Sequence, residues 1–300
     1  MSQPSIIVIG SSNTDMVIKS PYLPAPGETI LGGTFFMNAG GKGANQAVAA
    51  ARLGGNVSFI AKVGKDIFGK QAINLFKKEG IDTSAILKDR ELPSGVALIT
   101  VDDKAENCIV VASGANAALS SGNLKKFKDK IEAASIILMQ LETPVTTIEY
   151  AASVAFAKNI KVVLNPAPAC ALPDALLKHV SIITPNEKET EMLTGIPVTD
   201  IYSAEKAAIA LHQKGIGTVI ITMGAKGALL FHENKFSLVG SPIVEAIDTT
   251  AAGDVFNGAL VVAIADGKEM EEAVRFACKA ASISVTRLGA QASAPYSHEL

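Results

Sequence analysis

Cysteine, histidine and unbalanced charge are all scarce in this 300-residue chain, and each scarcity removes a class of protein. Three cysteines (Cys108, Cys170, Cys278) are an odd number without short spacing, and four scattered histidines (His179, His212, His232, His298) make no ligand pattern. Disulfide scaffolds and structural zinc drop out. With 27 basic against 29 acidic residues the formal net charge is −2, which gives no electrostatic reason to expect nucleic acid or an anionic membrane as partner. Any anionic ligand must be held by a local site. Long apolar runs are missing too: the longest, Ala259 to Ala265, is far short of the roughly 20 residues that cross a bilayer. The start, Met1-Ser-Gln-Pro, has no basic leader before its apolar run, so a cytoplasmic location is expected. The dinucleotide fingerprint is also absent, because Ile6-Ile-Val-Ile-Gly10 is followed by Ser-Ser-Asn-Thr, and this argues against a dehydrogenase. What is present is 48% hydrophobic residues, enough to bury a sizeable core.

The opening run fits a strand covered on both faces, and similar runs recur at 57–63, 136–140, 162–165, 182–184 and 219–222. Helix-period segments at 124–134, 146–158 and 204–214 lie between them, the alternation of βαβ units. The pattern predicts an α/β fold on a mostly parallel central sheet. Two stretches break the rhythm, a Pro- and Gly-rich insertion at about 14–38 and an alternating apolar hairpin at 94–111. Together they predict a small antiparallel β lid on a single domain, 1–300. After residue 250 the pattern changes to long helices at 251–266 and 270–287, separated by Gly267.

The most informative segment is Asp248-Thr-Thr-Ala-Ala-Gly-Asp254. Thr249 or Thr250 is the expected cap of a helix whose first turn, Ala251, Ala252 and Gly253, is small enough for a ligand to reach backbone N–H groups. Asp254 sits at that turn, where dipole and free amides would keep a carboxylate ionised and able to accept a proton. The alternative is an acid that merely complements the helix dipole. A second segment, Gly40-Gly-Lys-Gly-Ala-Asn-Gln-Ala47, runs from a glycine turn into an Ala-rich helix. It is no P-loop, because Phe36 and Gly43 stand where that motif needs Gly and Ser or Thr. The glycines read either as a packing turn or as a close approach to a polar ligand. Lys42 and Asn45, three apart at the start of an apolar helix, favour the latter. Asn13 and Asp15 follow the first strand, where open α/β sheets place ligands, although turns also select these residues for conformation alone. Asn186 reads as an N-cap with Glu189 as its capping-box partner. Thr222-Met-Gly-Ala-Lys-Gly227 is either a hairpin turn or a nucleotide loop.

Jointly these residues resemble the ribokinase-like family of carbohydrate kinases, from Ile6 to about Ser293, and the Gly10-Ser-Ser-Asn-Thr-Asp15 start favours its ribose branch over adenosine, fructose or phosphosugar kinases. The resemblance implies a three-layer sandwich with a β lid that phosphorylates the ribose 5-hydroxyl with ATP. It implies that Asp254 is the base and that amides of Ala251, Ala252 and Gly253 hold the transferred phosphoryl group. Asn13, Asp15, Gly41, Lys42, Asn45 and Glu142 match positions that bind sugar hydroxyls. Asn186, Thr222, Met223, Gly224, Ala225, Lys226 and Gly227 match the nucleotide side, with Gly253, Asp254 and Cys278. Glu189 matches a position linked to magnesium. Asp248, Thr250, Ser284, Arg287, Gly289 and Ser293 match a potassium site built mostly from carbonyls. The family pattern has asparagine where Cys278 stands, which loosens the expectation for the nucleotide. A homodimer joined through the lid is also implied. Rival readings are a kinase for deoxyribose or a nucleoside such as adenosine, and a non-catalytic sugar-binding regulator.

Overall fold

The computed structural model describes residues 3–104 and 106–300. In chain order its strands are β1 (Ser5–Ile9), β2 (Asn13–Lys19), β3 (Thr34–Gly40), β4 (Asn56–Gly64), β5 (Ile86–Asp89), β6 (Gly95–Val101), β7 (Asn107–Ala112), β8 (Ile136–Met139), β9 (Lys161–Leu164), β10 (Ile182–Ile183), β11 (Thr218–Thr222), β12 (Ala228–His232) and β13 (Lys235–Val239). Nine of them form one sheet in the order β13-β12-β11-β10-β9-β8-β1-β4-β5. It is parallel from β5 to β11 and ends in the antiparallel hairpin β11-β12-β13.

The central strand shows why the apolar runs are unbroken. Ile6 and Val8 of β1 join one core, with helices Lys42–Arg52, Ala252–Ala265 and Met270–Ser284, while Ile7 and Ile9 join a second core on the opposite face, with Val145–Phe156 and Ile201–Gln213. Alternate side chains serve opposite layers, so neither parity can be polar.

Helices Lys42–Arg52 and Ala252–Ala265 meet in near contact. A Cβ placed on Gly258 would lie 2.7 Å from the Ala49 Cβ and 2.8 Å from the Gln46 carbonyl oxygen, so only glycine lets helix Ala252–Ala265 approach helix Lys42–Arg52 this closely. That approach brings the two sequence segments singled out above, more than 200 residues apart, to one place.

The two insertions form a separate sheet, β3-β2-β6-β7. Its outer pairings are antiparallel, and the central β2–β6 pair that joins the insertions is parallel. Asp15 and Met16 are neighbours on β2 and therefore point to opposite faces, Asp15 towards the body of the protein.

Several expectations are revised. The helix expected at 124–134 resolves into three short turns, Ser121–Leu124, Lys125–Phe127 and Lys128–Glu132, with Phe127 off helical geometry at φ −115°. Leu124 and Ile131 are nonetheless fully buried, so the apolar face is satisfied without a continuous helix. The helix expected to reach residue 287 stops at Ser284, where the Ser284 and Thr286 hydroxyls donate back to the carbonyls of Ala281 and Ile283. Strands β5 and β13 had no counterpart in the sequence reading, and β12 had one only as the second arm of the hairpin offered at 222–227. The β12–β13 turn places Glu233 and Asn234 at φ 50° and 60°, a left-handed pair that a search for Gly-containing turns passes over.

Candidate active site

Helix Ala252–Ala265 starts differently from the expectation. Neither Thr249 nor Thr250 caps it; Ala251 occupies the cap position at φ 61°, ψ 12° without any side-chain capping bond. The Asp248 carboxylate organises the turn instead, accepting from the amides of Thr250 at 2.9 Å and Gly289 at 2.8 Å. The Ala252 amide donates to the Thr249 carbonyl at 3.2 Å. Those of Ala251 and Gly253 have no backbone partner among the described residues and border the cavity below. Such a turn is an anion cradle.

Asp254 follows Gly253 directly and is 6% exposed. Burial drives its carboxyl above the usual range, opposed by the Lys42 charge and by hydrogen bonds from Asn45 and Gln46, while Glu142 adds to the rise. Its Oδ2 accepts from Asn45 Nδ2 and its Oδ1 from Gln46 Nε2, each at 2.9 Å. The sequence reading credited the dipole and free amides with keeping this group ionised. Here burial outweighs the groups that oppose protonation, which are the Lys42 charge and side-chain amides from the neighbouring helix.

Among the residues that match a sugar site, Gly41 caps helix Lys42–Arg52 at φ 88°, and a Cβ there would sit 2.7 Å from the Asn13 amide nitrogen. A larger residue would be strained and would push the β1–β2 turn away. The Lys42 amide and the Ser11 hydroxyl both donate to Glu142 Oε2, at 2.9 and 2.5 Å. Asn13 Oδ1 accepts from Asn116 Nδ2 at 2.7 Å, and Asn116 Oδ1 accepts from the Ser12 amide at 2.9 Å. Asn13, Asn116 and Glu142 line a cavity of about 360 Å³. Asp15 reaches in from the lid; its carboxyl is pushed up to about 6, first by burial and then by the charges of Glu142 and Asp254. The Oδ1 of Asn45 is buried and accepts nothing from the described residues. An unpaired buried acceptor is costly and points to a missing donor such as a hydroxyl.

A larger cavity, of about 640 Å³, is bordered by Lys42, Gly253 and Asp254 at one end and Cys278 at the other. Asn186 and Glu189 form the expected capping box, each backbone amide bonded to the other's side chain at 2.9 and 2.8 Å, and both line the cavity. Burial raises the Glu189 carboxyl, with the Asn186 amide and Lys42 acting against it. The Thr222–Gly227 segment is both things offered for it: it closes the β11–β12 hairpin, and Thr222, Gly224, Ala225 and Gly227 border the cavity. Met223 and Lys226 do not; Met223 is buried in the second core and Lys226 points to solvent. Burial pushes the Cys278 thiol up to about 11, so it meets a ligand as a neutral, weakly polar surface.

The matching cation residues converge as well. Ile247 and Asp248 both donate their amides to the Val285 carbonyl, at 2.7 and 3.1 Å, tying the Asp248 turn to the segment 284–293. Burial pulls the Asp248 carboxyl upward and the donors from Thr250 and Gly289 outweigh it, so it stays below its ordinary value. The Arg287 guanidinium pairs with Glu299 and does not compete for Asp248. The Ser284 and Ser293 hydroxyls donate to nearby carbonyls, at 2.8 Å each, so these residues offer backbone oxygen rather than a free hydroxyl proton. Anionic and carbonyl oxygens without nitrogen or sulfur suit a hard cation.

The sequence reading missed a ring of buried amides and hydroxyls beneath Asp254: Gln46, Gln140, Asn165, Thr184 and Asn257, none more than 6% exposed. A signal existed. Three apolar strands each end in a polar residue, Gln140 after β8, Asn165 after β9 and Thr184 after β10, at the carboxyl ends of a parallel sheet where ligands bind. It also missed the loop Ser241 to Val244, which borders the far end of the large cavity.

Comparison with known proteins agrees with this geometry. The model of the pfkB family of carbohydrate kinases matches residues 3–296. A ribokinase of Haemophilus influenzae is 50% identical over 98% of this chain and 96% of its own. A deoxyribokinase of Salmonella typhi is 37% identical over 97% of this chain and 95% of its own. The structure of an Arabidopsis thaliana ribokinase complexed with ribose and ATP superimposes with a TM-score of 0.92 at 31% identity, covering 99% of this chain and 97% of that one. A turn that presents bare amides to an anion, a buried carboxylate beside it and a family model spanning almost every residue converge on one assignment: the chain belongs to the pfkB family of carbohydrate kinases.

Proposed function

We propose that this protein transfers the γ-phosphoryl group of ATP to the 5-hydroxyl of D-ribose, giving ribose 5-phosphate and ADP, with Asp254 as the base. The observation that carries the reading is the place of Asp254, on the wall of the large cavity beside the bare-amide turn and bonded to Asn45, whose buried Oδ1 has no donor among the described residues. Ribose would be held by Asn13, Asp15, Gly41, Lys42, Asn45 and Glu142, and the unpaired Oδ1 of Asn45 supplies one acceptor for a sugar hydroxyl. The nucleotide would lie along Asn186, the Thr222–Gly227 turn and Cys278. As the alcohol oxygen bonds to the γ-phosphorus, the bond from that phosphorus to the bridging oxygen of ADP breaks, and the alcohol proton passes to Asp254. Amides of Ala251 and Gly253, with Lys42, face the charge on the phosphoryl oxygens. Most of the rate comes from this positioning and charge stabilisation, because phosphoryl transfer needs little covalent help.

Glu189 would hold Mg²⁺ through water, and Asp248 with carbonyls of the 284–293 segment would hold K⁺. Bound there, the two ions would add positive potential near the phosphates and the amide turn. The lid, from insertions at about 14–38 and 94–111, would close over the sugar as part of one working domain in a cytoplasmic enzyme; no helix among the described residues is long and apolar enough to cross a membrane. Its outer face carries Ile18, Phe35, Met37, Leu98 and Val110, each at least 45% exposed, which supports pairing with a second copy.

The test is an ADP-release assay with MgATP over D-ribose, 2-deoxyribose and adenosine, with and without K⁺. Preference for ribose and stimulation by K⁺ support the proposal. A preference for 2-deoxyribose or adenosine reassigns the acceptor, and binding without ADP release makes the protein a sugar-binding regulator.

A further inference from the structure

The ring of buried polar side chains beneath Asp254 has one member that touches the carboxylate from the protein side. Gln46 is completely buried and every polar atom of its amide is committed. Its Nε2 donates to Asp254 Oδ1 at 2.9 Å and to Asn165 Oδ1 at 3.0 Å, and its Oε1 accepts from Gln140 Nε2 at 2.5 Å. Asn165 is fixed in turn by donating to the Thr184 carbonyl at 3.2 Å. The Thr184 hydroxyl donates to Asn257 Oδ1 at 2.6 Å, and Asn257 Nδ2 donates to the Gly253 carbonyl at 2.8 Å, one residue before Asp254. The chain of bonds therefore leaves Asp254 through its side chain and returns to it through its backbone.

The direction of every amide in this chain follows from the carboxylate at its head. Gln46 must present nitrogen to Asp254. Its oxygen then faces Gln140, which must present nitrogen too, and Gln140 Oε1 is left buried without a donor among the described residues. That oxygen lies against Gly10, where a Cβ would come within 2.1 Å of it. A buried acceptor left unpaired is a cost, and it is tolerated here so that both hydrogens of the Gln46 amide point away from Gln140.

We propose that Gln46 is the positioning residue of the base: it clamps Oδ1 of Asp254 as a permanent acceptor and thereby directs the alcohol proton to Oδ2. Oδ2 is the oxygen on the side of Asn45, whose own Oδ1 awaits a sugar hydroxyl. A proton on Oδ1 would weaken an acceptor facing an amide that has no other orientation open to it. Four charged groups also face Asp254: Lys42 from helix Lys42–Arg52, Glu142 after β8, Asp15 from β2 and Glu189 from helix Glu187–Thr194. None is altered by changing Gln46, so a variant reports on the amide alone. Because burial drives the Asp254 carboxyl upward and the Gln46 bond opposes it, loss of the bond lets the base hold a proton to higher pH.

The inference rests on the assignment of Asp254 as base, and the test separates the two. Single-turnover phosphoryl transfer and ribose binding are measured across pH for the wild type, Gln46→Met, Gln140→Leu and Asp254→Asn. Gln46→Met is expected to slow transfer about 10- to 100-fold, with ribose affinity within about threefold, and to move the acid limb of the rate profile up by about one pH unit. Gln140→Leu, which frees Gln46 without touching Asp254, should move the limb the same way by less, and it decides the matter if Gln46→Met does not fold. An acid limb that stays in place, or a rate loss matched by an equal loss of ribose affinity, overturns the role of Gln46. Normal transfer by Asp254→Asn instead removes the base assignment on which it rests.

Discussion

The two halves of the site are built by different means. Around the sugar position, buried side chains from the β1–β2 turn, helix Lys42–Arg52, the segment after β8 and the 3₁₀ turn Gly114–Ala118 are bonded to one another before any ligand arrives. Around the large cavity, helix residues such as Phe256, Cys278 and Ala281 share the wall with loops and the β11–β12 turn, and the loop residue Ile243 lines it while fully exposed to solvent. Its far polar groups already satisfy each other, the hydroxyls of Ser241 and Ser282 lying 2.8 Å apart. Preorganised polar groups reject a misfit because they cannot turn to another partner, whereas an open apolar wall accepts shapes that merely fill it. Selectivity should therefore reside in the alcohol acceptor more than in the base of the nucleotide.

Breaking the rigid half should cost most. Asp254→Asn removes the proton acceptor and keeps its shape, so turnover should fall by about 10²–10⁴-fold while ribose affinity changes less than about tenfold. ADP release and calorimetry check both. Next comes Gly258→Ala, which forces a methyl group against Ala49 and the Gln46 carbonyl; thermal and denaturant unfolding should show a loss of about 1–3 kcal/mol. Turnover should fall with it, since the two helices carry the base and its donors. Asp15→Asn should weaken ribose about tenfold, by removing a charged acceptor for hydroxyls.

Asp15 also carries a pH signature. Its carboxyl titrates near 6 in the fold against an ordinary 3.8, so the folded state holds a proton that the unfolded chain has released between those values. The associated stability is present below 3.8 and lost as pH rises through about 6. Without ribose, Asp15→Asn should therefore melt higher than the wild type above pH 6, an advantage that disappears in acid. A residue that binds sugar at the expense of apo stability would show this crossing, and equal melting curves at every pH would contradict it. The smallest effect is expected around the large cavity. Cys278→Asn should change the KM for ATP by only about threefold and leave that for ribose unaltered. A larger change would mean that the nucleotide wall is as rigid as the sugar wall.

The contrast also explains what could be read in advance. The strands, the lid insertions and the glycine turn at Gly41 were legible because each leaves a local mark: unbroken apolar runs, proline and glycine clusters, a polar pair opening an apolar helix. The Asn186–Glu189 capping box was legible because both partners lie within one turn. The start of helix Ala252–Ala265 was not, since Ala251 is held left-handed by a turn whose anchor, Asp248, bonds to Gly289 far along the chain. The amide ring was missed for the same reason. Gln46, Gln140 and Asn165 are ordinary residues in their own neighbourhoods, and their meaning lies in pairings across 94 and 119 positions. The Asp254 carboxylate was singled out in advance, while the buried amides bonded beneath it were not.

The missing side chain at Gly258 carries a consequence for how such a catalyst can diversify. Because the backbones of the two helices already touch there, the span between the proton acceptor and its amide donors can be neither shortened by trimming nor widened by a modest insertion of bulk. New acceptor alcohols must be accommodated from the opposite wall, where the lid meets the pocket. Substrate range in descendants of this chain should accordingly drift through lid residues such as Asp15, while the spacing of the proton-transfer pair stays frozen.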